Sequence, residues 1–147
     1  MSDLSEKVRT AFYTKTNVSA LVDANNAAKL YGIYEGKAIS DIPVVSGVQR
    51  AYGVFNIQAY EPIVYAFNDT QVLETFYYQL RVYAASQSLA ESLVNLWVST
   101  LGTSLTITGG TVERLWSVSG LPPTDRQQTD RYVWGRAALI GIAASNG

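Results

Sequence analysis

The sequence predicts an α+β domain: a mainly antiparallel sheet of about four to five strands, a long helix packed on one face, and an N-terminal helix. Apolar residues recur at helical spacing in two segments, residues 3–15 and residues 89–101. Apolar and polar residues alternate over 51–59 and 72–84, which is typical of strands. No repeat, low-complexity tract or charge block divides the chain, so we treat residues 1–147 as a single domain.

The N-terminal segment predicts one helix and one short strand. Residues 3–15 form an amphipathic helix in this interpretation, with Ser2 or Asp3 as its cap and a stripe of Leu4, Val8, Ala11 and Phe12. Residues 30–34 form a first strand, which Gly36 ends. Residues 36–49 have no period, so we predict a long excursion there.

Two longer strands follow in the prediction. The first covers residues 50–60 and is followed by a loop or hairpin tip around Pro62. The second, residues 72–84, has the strongest alternation in the chain. One side of it carries Phe76, Tyr78, Leu80, Val82 and Ala84, and the other carries Tyr77, Gln79, Arg81 and Tyr83.

The long helix is the clearest element. Ser86 or Ser88 caps it, and Ser88 with Glu91 fits a capping box. Gly102 stands at the expected stop position. The apolar stripe consists of Leu89, Leu93, Leu96, Trp97 and Leu101.

The C-terminal part predicts a hairpin, a loop and a last strand. Residues 105–108 and 111–118 flank Gly109-Gly110, which suits a tight hairpin turn. Residues 119–130 are polar and are predicted to form a loop. Residues 131–143 alternate as a strand, interrupted at Arg136.

Composition argues against an enzyme. The chain has no cysteine and no histidine, which removes thiolate chemistry and the usual acid–base side chain near neutral pH. No phosphate-binding loop and no carboxylate set with metal-ligand spacing is present. We therefore expect no catalytic, cofactor-binding or metal-binding residues.

Charge argues against specific nucleic-acid binding. The chain has 11 basic and 12 acidic residues, a net charge of −1, whereas a nucleic-acid binder carries a basic excess. Arg126, Arg131 and Arg136 form at most a weak basic stripe. The start is polar without a signal-peptide core, and no apolar run reaches the roughly 18–20 residues of a membrane span, so we expect no membrane association.

The second side of the sheet points to a partner. Tyrosine and arginine are enriched where proteins meet, and a plain solvent face favours Lys, Glu and Thr instead. Either the N-terminal helix and residues 36–49 cover this side, or another protomer does. We predict a subunit interface or lumen wall formed by Tyr77, Gln79, Arg81, Tyr83, Arg131 and Arg136.

Residues 77–90, Tyr-Tyr-Gln-Leu-Arg-Val-Tyr-Ala-Ala-Ser-Gln-Ser-Leu-Ala, resemble the tail-terminator (tail-completion) proteins of long-tailed bacteriophages, in which a strand with this ending runs directly into a helix. The resemblance implies a non-enzymatic virion protein of the tail or neck, assembled in the host cytoplasm as a ring that is usually six-fold. Such a ring caps the tail tube, joins it to the head connector or stopper, and lets DNA pass through its lumen without specific binding. Three loops, 36–49, 60–71 and 119–130, then reach the tube and the connector, with Asp41, Tyr65, Asp69, Asp125 and Arg126 as candidate contacts.

Two alternatives stay open from the sequence. Another neck protein is one, either a head-closing stopper, expected to be mostly a small β-barrel, or a connector adaptor, expected to be mostly helical. The other is an α+β domain that binds a small molecule in a pocket between helix and sheet. That alternative requires polar groups converging in the pocket, for which the sequence offers tyrosine hydroxyls, Gln79 and Arg136.

Overall fold

The computed structural model describes residues 3–36, 43–64, 72–118, 124–128 and 131–145. There are two helices and eight strands in these segments: α1 (Asp3–Thr16), β1 (Ile33–Glu35), β2 (Val44–Val45), β3 (Val48–Gln49), β4 (Tyr52–Val64), β5 (Val72–Ala84), α2 (Gln87–Leu101), β6 (Thr111–Val118), β7 (Thr124–Gln128) and β8 (Arg131–Ser145).

The main sheet is mixed but mostly antiparallel, and it confirms the predicted α+β class. Five strands lie side by side in the order β1-β4-β5-β8-β6, and the sixth, β7, pairs with β8. Only the short β1–β4 pair is parallel. β2 and β3 form a separate hairpin within the predicted excursion, and its turn residues Ser46 and Gly47 both have positive φ, as a tight hairpin turn requires.

β8 organises one half of the sheet. β5 pairs with it from Ala84↔Trp134 to Leu73↔Ser145 along one edge. β6 and β7 pair with successive parts of it along the other edge. The predicted polar loop at 119–130 is therefore wrong for residues 124–128. Their side chains carry no apolar alternation, but an edge strand is held by backbone hydrogen bonds and needs no such pattern.

The predicted hairpin around Gly109-Gly110 is also wrong. β6 pairs with β8, and residues 104–107 form no strand. Leu105 and Ile107 are buried, so this segment contributes apolar side chains to the core but does not pair with a strand of the sheet. The turn at Gly109, with φ of 76°, is held from α1 by Lys7, whose Nζ donates to the Gly109 carbonyl at 3.0 Å.

β4 is longer than predicted. It continues through Pro62 to Val64, still paired with β5. Proline is accepted there because β1 pairs with β4 only at residues 53–55, which leaves position 62 on an edge. The β4–β5 register shifts between Ile57 and Ala59, a bulge that breaks the simple alternation read along residues 50–60.

α2 matches the predicted helix closely, apart from its capping box. Its N-cap is Ser86, whose hydroxyl accepts from the Leu89 backbone N–H, and Gly102 ends it with φ of 73°. Ser88 therefore lies inside the first turn, and the Ser88–Glu91 capping box is a wrong prediction. Glu91 lies instead 3.5 Å from Arg136 of β8. Ala90, Leu93, Val94, Trp97 and Leu101 are its buried residues.

Both helices lie on the same side of the sheet, which we call the helix face. Phe12 of α1 stacks on Tyr78 of β5, with ring centroids 4.9 Å apart, and also contacts the Trp97 ring of α2 at 6.4 Å. The predicted inward side of β5 is fully or almost fully buried in this core: Phe76, Tyr78, Leu80, Val82 and Ala84. α1 is therefore part of the main core and does not cover the other face of the sheet.

Arg50 is an internal crosslink that the sequence pattern does not reveal. It is only 3% exposed, and its guanidinium donates to four backbone carbonyls of the loop between α1 and β1. The acceptors are Asp23 at 2.8 Å, Lys29 at 3.2 Å, Ala24 and Asn26. The carbonyl oxygens thus solvate the buried cation, and the cation fixes the path of residues 23–29.

Candidate interaction surface

The side of the sheet opposite the helices, which we call the open face, has two parts that differ in burial. Neither helix covers it, because both belong to the core on the helix face. Its described side chains come from every second position of β1, β4, β5, β8 and β6, as the strand registers dictate.

The first part is a small buried cluster near the start of β4. Tyr52, Val54 and Tyr83 are 1%, 6% and 5% exposed, and Tyr34 packs against them. The rings of Tyr52 and Tyr83 lie 5.3 Å apart, and that of Tyr34 meets Tyr52 edge-on at 6.0 Å. Burial raises the pKa of the Tyr34 hydroxyl. Tyr83, one of the predicted interface residues, is therefore already sheltered within the chain.

The second part is accessible and contains the other predicted β5 residues. Tyr77, Gln79 and Arg81 are half-buried and lie in a row on this face. Tyr77 meets the ring of Trp116 on β6 edge-on, with centroids 6.0 Å apart. The guanidinium of Arg114 lies over the same indole, 4.8 Å from its centroid. We call Tyr77, Arg114 and Trp116 the aromatic patch.

Gly141 of β8 allows the Trp116 ring to lie directly against the sheet. Trp116 lies against Gly141 of β8, where an added Cβ would stand 2.2 Å from the indole. That separation is shorter than any real carbon contact, so only glycine permits this ring position. The patch therefore presents a fixed aromatic surface with a cation on it, the residue types that dominate protein interfaces.

The remaining predicted site residues lie elsewhere. Arg136 is half-buried on the helix face, where its Nη2 lies 3.5 Å from the Glu91 carboxylate, so it does not join Tyr77 and Arg81. Arg131 pairs through its backbone with Gln128 in the β7–β8 hairpin, which also contains Asp125 and Arg126. The side chains of these three, and the whole of Asp41, Tyr65 and Asp69, lie outside the described residues.

An acidic cluster, formed by Glu6, Arg9 and Glu35, lies at the β1 end of the sheet. Arg9 of α1 donates to Glu6 at 2.6 Å and to Glu35 of β1 at 3.1 Å, so one guanidinium serves two carboxylates. The hydrogen bond with Arg9 holds the pKa of the Glu6 carboxyl below its usual range. The same two carboxylates raise the pKa of Arg9. Glu6 and Glu35 are exposed and Arg9 is half-buried, and together the three side chains carry a net charge of −1.

The described residues contain a groove, but no cluster of acidic side chains for a metal ion and no helix that could span a membrane. The described residues contain no group of three or more acidic side chains placed to hold a metal ion. Among them, no helix is both long and apolar enough to cross a bilayer. A groove of about 370 Å³ lies between α1 and residues 106–108, and threonines dominate its lining: Thr10, Thr14, Thr106 and Thr108, with Glu6, Lys7 and Ala11.

Comparison with known proteins gives a fold and no family. No family model matches the chain, and a search of curated protein sequences finds no match. Among solved structures, the chain is similar to a chain of the virion of a native gene transfer agent particle. The two are 15% identical in sequence, the likeness covers 100% of both chains, and the TM-score is 0.63. At this identity the likeness shows a shared fold.

Sequence reasoning missed the β6 contribution to the open face. The sequence predicts only a hairpin strand for Arg114 and Trp116 and does not indicate which face of the sheet they occupy. The register between β6 and β8 shifts between Val112 and Arg114, so alternation read along the strand does not show which side chains join Tyr77. The sequence does contain one signal for this surface, because Arg114 and Trp116, two residues apart on a predicted strand, are of the types enriched at protein interfaces.

Proposed function

We propose that this chain is a structural protein of a phage-type virion, a tail terminator that forms a ring at the end of the tail tube. The observation that carries the proposal is the fold shared over the whole of both chains with a chain of a gene transfer agent virion. The sequence resemblance of residues 77–90 to tail terminators supports the same role independently. The proposed partners are further copies of the chain, the tail tube protein and the head connector or stopper, with DNA passing through the lumen.

The open face supports an assembling role. Its accessible part combines Tyr77, Arg81 and Trp116, and it has no helix over it. An aromatic and arginine-bearing surface of this kind is typical of contacts between proteins. The absence of histidine and cysteine from the sequence supports a role that involves no catalysis.

The secondary structure favours a terminator over the other neck proteins. A stopper is expected to be mostly a small β-barrel and an adaptor mostly helical. The described residues combine two helices of 14 and 15 residues with a six-stranded sheet. This mixed content is the one that the resemblance to tail terminators implies.

Assembly on isolated tail tubes tests the proposal. The protein is mixed with tubes, co-sedimented and imaged by electron microscopy, while mass photometry follows free protein at high concentration. We expect closed rings at tube ends. Only monomer in solution, together with no binding to tubes, would refute the ring. A terminator that forms its ring only on the tail tube is monomeric in free solution. The result with tubes therefore has more weight than mass photometry of the free protein.

A matched pair of variants then tests the open face. Arg81→Glu reverses a charge on the accessible part of that face, and Asn95→Glu adds the same charge on an exposed position of α2. We expect Arg81→Glu to reduce assembly and Asn95→Glu to leave it unchanged. Tyr83 is unsuitable for this purpose, because a charge at a buried position would unfold the domain.

A further inference from the structure

An aromatic ring, and not a carboxylate, holds Arg114 at one end of the sheet. Its guanidinium lies 4.8 Å from the centroid of the Trp116 indole, and the side chain is exposed. Within the described part of the chain it makes no ion pair. Its neighbour Glu113 is directed to Ser145, with Oε1 3.5 Å from that hydroxyl. Arg114 is thus a positioned cation without an ion-pair partner among the residues that the structure describes.

The Glu6–Arg9–Glu35 cluster, at the β1 end of the sheet, has two carboxylates for one guanidinium. Glu6 and Glu35 share the single guanidinium of Arg9, so they retain acceptor oxygens and one uncompensated negative charge. A planar guanidinium donates through five N–H groups in a fixed fork and suits such a carboxylate well.

These two surfaces cannot meet within one chain. β1 and β6 are the first and last strands of the five-strand row. Four strand spacings of about 4.8 Å separate them by roughly 19 Å. Arg114 and Glu35 therefore lie on opposite edge strands of this row, where each is available to a different neighbouring copy.

Features of the sheet edges disfavour backbone pairing between β6 of one copy and the sheet of a neighbouring copy. β6 has a register shift between Val112 and Arg114, and β4 contains Pro62, beyond the residues that pair with β1. A bulge and an edge proline are devices that keep sheet edges from pairing with other chains. Contact between copies then depends on side chains and their charges.

A symmetric contact between two aromatic patches is disfavoured as well. It would bring Arg114 of one copy towards Arg114 of the other, together with the two Arg81 side chains on the same face. Like charges placed opposite each other oppose association. A contact between unlike ends carries no such penalty, and repeated contacts of that kind form a ring when the rotation between copies closes.

We propose that copies of this chain dock head to tail, with Arg114 and Trp116 of one copy bound by the Glu6–Arg9–Glu35 cluster of the next. The inference rests on the proposed ring and names the surfaces that close it. The incoming guanidinium supplies the second cation that Glu6 and Glu35 lack. The Trp116 ring holds that guanidinium in place before binding, which lowers the entropy lost on docking.

Charge reversal at each end tests the pairing. Arg114→Glu removes the donor end, and Glu35→Arg removes the acceptor end. Asn95→Glu is the control for added charge on an exposed surface, and circular dichroism verifies that each variant folds. We expect each end variant to reduce the ring fraction on tail tubes at least tenfold, and the control to match the wild type. End variants that assemble like the wild type would overturn the inference.

Mixing and recombining the variants gives the decisive result. In a mixture of Arg114→Glu and Glu35→Arg, copies of the two variants alternate through one wild-type pair and one charge-exchanged pair, so light scattering after gel filtration should show mixed assemblies that neither variant forms alone. The double variant Arg114→Glu/Glu35→Arg exchanges the charges and should regain rings. A double variant as defective as the single ones, with no mixed assembly of the two single variants, would refute the pairing. If the wild type itself forms no ring on tubes, the proposed function fails instead.

Discussion

Replacing Arg50 tests whether one buried cation organises the loop between α1 and β1. Arg50→Met keeps the aliphatic stem and removes the guanidinium, which leaves four carbonyls of residues 23–29 without their donor. A hydrogen bond to a charged group contributes about 1.5–3 kcal/mol. Because residues 24–28 are exposed and their carbonyls regain water, we expect a net loss of about 3 kcal/mol, the low end for breaking a buried charged contact.

Urea and thermal unfolding followed by circular dichroism measure this loss. For a chain of this length, 3 kcal/mol corresponds to a Tm lowered by roughly 6–12 °C. Arg50→Lys keeps the charge but offers a single nitrogen to four acceptors, so an intermediate loss is expected. Arg114→Met, at an exposed arginine, is the control and should cost less than about 1 kcal/mol. A loss at Arg50 no larger than the control value would refute the crosslink.

Three further changes are predicted. Gly141→Ala should displace the indole of Trp116, lower stability by about 1–3 kcal/mol and change tryptophan fluorescence; an unchanged spectrum would contradict this ring position. Ser86→Ala should cost about 1 kcal/mol in urea unfolding, since it removes the acceptor for the Leu89 N–H; a neutral result would contradict the cap. Tyr78→Phe removes a buried hydroxyl with no hydrogen-bond partner in the described residues, so stability should hold or rise by about 1 kcal/mol. Burial raises the pKa of Tyr78, so the folded state keeps a proton that the unfolded state releases above about pH 10. Wild-type stability should therefore fall above that pH, and less steeply in Tyr78→Phe, as urea unfolding between pH 9 and 11 would show.

The elements that the sequence predicts well are those whose side chains contact the core on a regular period. β5 alternates without interruption, and its predicted bounds, residues 72–84, agree with the structure. α2 has a full apolar stripe and both of its end signals, Ser86 and Gly102. In these segments local preference and tertiary burial favour the same structure.

The elements that the sequence does not predict are held by contacts distant along the chain. β7 pairs with β8 through its backbone and carries the polar residues of a loop. The sequence predicts that β6 pairs with its nearest neighbour, residues 105–108, but β6 pairs with β8, 21–34 residues later in the chain. Arg50 lies beside a strand and has no local pattern, because its acceptors are 21–27 residues earlier in the chain.

The sequence predicts the face of the sheet for the central residues of β5, but not the burial of Tyr83 or the face of Arg136. The parity of β5 correctly placed Tyr77, Gln79 and Arg81 on the side away from the helices. Tyr83 has the same parity but is buried among other tyrosines, since burial depends on neighbouring strands. The predicted set includes Arg136, but its register opposite Val82 directs it to the helix face.

The position of β8 has a consequence for folding kinetics. β8 lies between β5 and the strands β6 and β7, and its pairs with β5 join residues that are 50–72 positions apart in sequence. Pairing between residues this far apart closes a large loop before it gains contacts, which slows folding. We therefore expect the β5–β8 ladder to form late, after the more local β4–β5 and β7–β8 pairs.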